Sequence, residues 1–244
     1  MRTHASAQLI GDRSHQCDAT ATATGLNGVR AYALLDGIGS NDEVRDWTRR
    51  AARRLARAAA YHADAETGLR AQYNRYAADP DRQGPWGFGP QACAVVAVTS
   101  PRWLTVAWCG DARAYLLVGG RLVRLTQDHN LRRVFPPNDT HGGGNRNIVT
   151  SCLGNDETDQ QVKDRYGHAA IETTTRLLEN SRLLLASDGA YEPLEDAGLD
   201  LSGHLIGDPG ETARAFVETA VATARAVVNP YADNATVLIA DLRA

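Results

Sequence analysis

The chain has 244 residues, with 43 % hydrophobic and 23 % charged residues and a formal net charge of -3. That length supports one large domain or two small ones around a sizeable core. A weakly acidic chain argues against a general nucleic-acid binder, and no stretch is apolar for long enough to span a bilayer.

The opening residues, MRTHASAQLIGDR, lack the apolar run of a secretory signal. ATATATG and VRAYALLD then alternate as strands do, which predicts strands over 18–24 and 29–36 joined by a turn at Leu26-Asn27-Gly28. The period changes at Val44, Trp47, Ala51, Leu55 and Ala59, one face of a helix over 42–63. Arg49, Arg50, Arg53, Arg54 and Arg57 fall mostly on its other faces and read as solvated charge. Lys163 is the single lysine, so this arginine richness is a compositional bias. A second helix is expected over 65–78 with Leu69, Tyr73 and Tyr76 on one side, ended by the Gly/Pro loop DPDRQGPWGFGP.

Strands are expected again over 91–99, 103–110, 112–118 and 121–124, the last two joined by a hairpin turn at Gly119-Gly120. Residues 130–147 are polar, Gly-rich and Pro-interrupted, a long loop of the kind that often carries function. Two more strands are predicted over 168–177 and 182–187. The last helix has Asp208 as N-cap, Pro209 at N1 and Glu211 in a capping-box position, with its apolar stripe running to Val228 before Asn229-Pro230. A final strand covers 234–242. Alternation this irregular does not suit a doubly wound sheet; it suits antiparallel sheets with helices packed outside, an α+β class. Cys17, Cys93, Cys109 and Cys152 match no zinc spacing; Cys93 and Cys109 lie inside apolar runs and read as buried free thiols, and the default is a reduced, cytoplasmic protein.

Asp36, Asp111, Asp188 and Asp233 share a context, each at the end or start of an apolar strand beside Gly or Asn. Singly, each reads best as a turn former. Gathered at one rim they would repel one another unless a cation neutralised them, and hard ions such as Mg²⁺ and Mn²⁺ prefer oxygen ligands.

The order of motifs adds to this. GDRSHQCDA (11–19), LLDGIGS (34–40), CGDARAYLL (109–117), LTQDH (125–129), TSCLG (150–154), LLLASDGAYE (183–192) and DNATVLIAD (233–241) follow one another along the chain. The series resembles the PP2C-type (PPM) metal-dependent protein serine/threonine phosphatases, most of all the compact bacterial members. The likeness runs from about residue 8 to 242.

The resemblance implies one domain over 1–244, a four-layer α-β-β-α sandwich of two mainly antiparallel sheets flanked by helix pairs. It implies a binuclear Mn²⁺ or Mg²⁺ centre, with Asp36 bridging, the Gly37 backbone carbonyl on the second metal, and Asp188 and Asp233 completing the first. A third ion would take Asp111 together with Asp188. Arg13 matches the phosphate-binding arginine, Asp18 a position behind the ligands, and Asn234 is expected to orient Asp233. Two such ions activate a water for attack on the phosphoryl group.

The sequence departs from the pattern at Cys17, where the family usually has glutamate, and at Ile38, where animal members carry histidine. His129 and His141 are candidates by residue type for protonating the leaving group, although His129 reads first as a structural residue. The 130–147 loop falls where the family has its flap. The implied function is hydrolysis of phosphoserine and phosphothreonine in proteins of a kinase pathway, by a cytoplasmic monomer without nucleic-acid or membrane partners. The alternative is an inactive interaction or regulatory module on the same fold.

Overall fold

The apolar runs of this chain become strands buried on both faces, which is why they read as continuous and not as alternating. The computed structural model describes residues 3–82 and 89–243. One five-stranded antiparallel sheet has the order β1 (His4–Leu9), β10 (Ala235–Leu242), β9 (Ser181–Ala186), β6 (Arg113–Val118), β7 (Arg121–Arg124). The other has β2 (Ala19–Thr24), β3 (Arg30–Ile38), β4 (Gln91–Thr99), β5 (Trp103–Cys109), β8 (Glu172–Leu177).

The period of two assigns each strand residue to one of three apolar layers. Tyr32, Leu34, Val95, Leu183, Leu185 and Leu238 meet between the sheets. Ala31, Ala33, Leu35, Val96 and Val98 face α1 (Asp42–His62) and α2 (Ala65–Ala77). Leu184, Ala186, Val237 and Ile239 face α5 (Asp188–Asp196) and α6 (Pro209–Arg225). The result is the expected α-β-β-α sandwich. Leu183, Leu184 and Leu185 are all fully buried, and each contributes about 1.5–3 kcal/mol relative to an exposed side chain.

Helix ends are set by short polar side chains. Asn41 accepts from the Val44 amide at 2.9 Å, Asp64 from Thr67 at 2.8 Å, and Asp208 from Gly210 at 2.8 Å and Glu211 at 3.3 Å. Each such cap contributes about 1 kcal/mol. Pro209 opens α6 as expected, but the helix ends at Arg225, short of Asn229-Pro230.

The structure adds elements the sequence pattern does not predict. β1 is an edge strand with alternate residues exposed, and α4 (Asp159–Tyr166) buries only Val162. A single turn, α3 (Leu131–Val134), opens the 130–147 loop. β8 starts at Glu172, not at 168, because His168 packs against Thr150 and the His129 ring instead. Part of the Gly/Pro loop expected after α2 lies outside the described residues. No helix among the described residues is long and apolar enough to cross a membrane, and all four cysteines are buried and free.

Candidate active site

Both sheets end at a common rim, and the sequence places a carboxylate at each end that reaches it. β3 runs out at Asp36 and Gly37, the β5–β6 turn carries Asp111, β9 passes into Asp188 at the start of α5, and Asp233 precedes β10. These four aspartates, with Arg13, Gly37 and Asn234, line one cavity of about 620 Å³. Asp18 lies behind them, almost fully buried.

Glycine lets these segments approach. Ser187-Asp188-Gly189 is not a turn after the strand: Ser187 is the N-cap and Asp188 the first residue of α5. Gly189 is needed for space, since a Cβ there would sit 2.4 Å from the Asn234 carbonyl oxygen and 3.1 Å from the Asp233 Cβ. At Gly37 a Cβ would meet the Cys17 carbonyl oxygen at 2.5 Å and Thr48 Oγ1 at 2.8 Å. The first approach sets Asp188 beside Asp233; the second sets Asp36 over the segment carrying Arg13 and Asp18.

Burial, and then mutual repulsion, favours the protonated forms of these carboxyls. Asp18 and Asp111 are each pushed up to about 7, by burial first and then by the charge of Asp188. Asp36 is raised well above the usual carboxylate range by burial, then by Asp18 and Asp188. Asp188 is raised by burial and by Asp233. Both Asp18 oxygens are buried with no hydrogen-bond partner. The Ser187 hydroxyl lies nearby but donates to the Asn234 and Thr236 carbonyls at 3.3 and 3.4 Å, and Thr236 Oγ1 accepts from Gln8 at 3.3 Å.

Arg13 Nε donates to Asp233 Oδ1 at 2.6 Å and Nη2 to Oδ2 at 2.5 Å, a two-pronged ion pair that raises the guanidinium pKa. Asn234 holds Asp233 through its backbone amide, 2.7 Å from Oδ1. The Asn234 side chain works elsewhere: it accepts from the Cys17 amide at 2.7 Å and donates to the Ile10 carbonyl at 2.8 Å, pinning the loop that carries Arg13. Cys17 does not line the cavity, and its thiol donates to the Asn41 carbonyl at 3.7 Å. Ile38 does line the cavity.

Two residues of the cavity escape sequence reading. Glu192 lies one helical turn after Asp188 on α5 and is pushed up to about 8 by burial, then by Asp188. Arg146, from the 130–147 loop, reaches Glu192 at 3.1 Å and grips Asp196 at 2.6 and 2.8 Å. The i, i+4 spacing from Asp188 would reveal Glu192 once 188–196 is read as helix. Arg113, also missed, is buried under α5. It bonds Asp128 at 2.7 and 2.9 Å and Glu195 at 2.7 Å, and stacks 3.7 Å over the Tyr191 ring, fixing the helix that presents Asp188.

Neither histidine lines the cavity. His129 is fully buried, 3.0 Å from Glu172 and stacked on His168, and burial pushes it down to about 4. Glu172 goes down to about 2: burial opposes this, but bonds from His129 and Arg133 outweigh it. His141 is exposed and bonded to Asn138.

Carboxylate oxygens are hard donors, so the set fits Mg²⁺ or Mn²⁺. A cation would relieve the mutual repulsion and offset the orphaned Asp18 charge. Among the described residues no three His, Cys, Asp or Glu side chains close on one point as a ready cage. That suits an ion held by few protein oxygens and several waters.

A family model described as protein phosphatase 2C matches residues 10–133. This chain belongs to the protein phosphatase 2C family. It is 30 % identical over 182 residues to "Probable protein phosphatase 2C 24" of Arabidopsis thaliana, across 67 % of this chain and 50 % of that protein. To "Serine/threonine protein phosphatase PstP" of Mycobacterium tuberculosis it is 26 % identical over 238 residues, across 88 % of this chain and 41 % of the relative. The chain thus spans half or less of the length of these curated relatives. A solved structure of the S. agalactiae serine/threonine phosphatase superposes with a TM-score of 0.73 at 17 % identity, across 98 % of this chain and 99 % of that one. At that identity the match establishes the protein phosphatase 2C fold.

Proposed function

We propose that this chain is a metal-dependent phosphatase that hydrolyses phosphoserine and phosphothreonine in proteins. The observation that supports this most is the convergence of Asp36, Asp111, Asp188 and Asp233 with Arg13 on one cavity. A pair of Mn²⁺ or Mg²⁺ ions bound there would neutralise phosphoryl charge and activate the attacking water. Asp36, the Gly37 carbonyl, Asp188 and Asp233 would hold that pair, and Asp111 with Asp188 a third ion.

The chain's own residues supply orientation. Arg13 presents the planar fork that matches two phosphoryl oxygens, on a loop fixed by the Asn234 side chain. Asp18 adds negative charge behind the ligands and draws cations inward. Arg113 holds α5 so that Asp188 stays at the rim. Residues 130–147 act as a flap, supported by the Arg146 clasp on Glu192 and Asp196. The domain is read as spanning 1–244. Phosphoprotein substrates of a kinase pathway are suggested by the serine/threonine phosphatase names of the relatives, and four buried free cysteines suit a cytoplasmic setting.

Purified protein with Mn²⁺ should hydrolyse p-nitrophenyl phosphate and a phosphothreonine peptide. Asp36→Asn and Asp188→Asn should each lower kcat/KM by more than the roughly 10–100-fold that loss of an outer partner costs. Wild type no faster than these variants at saturating Mn²⁺ would defeat the proposal.

A further inference from the structure

The cavity does not end at its carboxylates. It continues along a second wall made by Pro193 of α5 and Ala197 just past its end, Ala224 of α6, and Val227 and Tyr231 beyond α6. Val227 is 57 % exposed and Tyr231 53 % exposed, so large apolar surface stands open beside a charged centre. Isolated exposed apolar residues are ordinary, but these share one wall of one cavity.

Charge on that wall is already paired. Asp196 is gripped by Arg146 at 2.6 and 2.8 Å, and Arg13 is held by Asp233 with its guanidinium 5.7 Å from the centre of the Tyr231 ring. A phosphate taken by Arg13 therefore lies about one side chain from Tyr231. Consecutive Cα atoms stand about 3.8 Å apart, so the wall faces a residue adjoining the phosphorylated one. An acidic side chain there would add negative charge to a rim that already carries Asp36, Asp111, Asp188 and Asp233.

We propose that the wall of Pro193, Ala197, Ala224, Val227 and Tyr231 selects phosphoproteins with an apolar side chain next to the phosphorylated serine or threonine. The inference rests on the phosphatase reading above and names the substrate class of that same site.

The test uses the full chain with Mn²⁺, p-nitrophenyl phosphate, and phosphothreonine peptides bearing Leu or Asp at either adjoining position. Wild type should favour Leu over Asp at one of the two positions by about tenfold or more in kcat/KM. Val227→Lys and Ala197→Lys lie outside the proposed catalytic set, and each would attract an acidic neighbour where the wild-type wall offers apolar surface. Each should reduce the preference to about twofold or less, a ratio of two peptides that a uniform loss of activity would leave unchanged. Equal turnover of Leu and Asp peptides by wild type, alongside p-nitrophenyl phosphate turnover, would overturn this inference alone. So would a preference that survives both variants, or variants that lose small-substrate and peptide turnover equally. Absence of any Mn²⁺-dependent turnover would overturn the phosphatase reading and this inference with it.

Discussion

Replacing Gly189 by alanine tests how the two acidic segments are held together. The added Cβ would lie 2.4 Å from the Asn234 carbonyl oxygen, 3.0 Å from its carbon and 3.1 Å from the Asp233 Cβ. Ordinary contact begins at 3.4 Å, so the segment before β10 must retreat by about 1 Å. The obstacle is backbone and cannot turn aside like a flexible side chain. Overpacking of this kind costs about 1–3 kcal/mol, while alanine in a helix recovers about 1 kcal/mol over glycine. A rigid obstacle puts the cost at the upper end, leaving a net loss of about 2 kcal/mol. For a chain of this size that lowers Tm by roughly 4–8 °C. Gly203→Ala is the control, because a Cβ there meets nothing within 4 Å. Calorimetry of wild type and both variants, with Mn²⁺ titrated into each, reads stability and cation affinity together. A Gly189→Ala protein as stable as wild type, with unchanged Mn²⁺ affinity, would refute the close approach.

Two further predictions concern charge. In the folded protein Asp18 and Asp111 are raised to about 7 and Glu192 to about 8, above the ordinary carboxylate values of 3.8 and 4.5. The folded protein therefore keeps protons that the unfolded chain has lost, and each costs about 1.4 kcal/mol per pH unit. That loss begins above the unfolded values near 4 and ends once pH passes the folded ones, so in chelator Tm should fall between pH 6.5 and 8 and level off above; Mn²⁺ should flatten the slope, and a rising Tm would contradict the assignment. His129, lowered to about 4, has the opposite pH sign, but its contribution is lost mainly below about 6.5. Arg113→Met removes the cation that binds Asp128 and Glu195 under α5. It should cost about 3–5 kcal/mol, read by urea unfolding, and a change below 1 kcal/mol would show that the network is dispensable.

The layers were legible because their strands bury both faces: LLLA and AVVAV leave little alternative to a core strand. HASAQL was not, since an edge strand with alternate residues exposed carries no strong apolar signal. α4 spends most of its length in solvent and buries one valine. α5 was masked by chemistry that also makes turns, Ser-Asp-Gly at its start and Pro193 inside it. The aspartates were legible as a set only through the order of their motifs, because spacing says nothing about which strand ends meet. Glu192 depends on reading α5 as a helix, and Arg146 on the path of a loop that no periodicity describes. Asn234 illustrates the limit at one residue: its adjacency to Asp233 suggested a side-chain brace, and the side chain instead clasps a segment more than 200 residues earlier in sequence.

The fork between Arg13 and Asp233 makes one carboxylate the partner of two kinds of cation, a guanidinium and, on the proposed reading, a divalent ion. Whatever draws Asp233 toward the ion loosens its hold on Arg13 and releases two N–H donors to a phosphate. Loading and capture then become linked equilibria, and linkage is reciprocal: each ligand raises the affinity of the other by the same factor. A site wired in this way would bind phosphate poorly until it is charged, so the order of assembly would be written into a single ion pair.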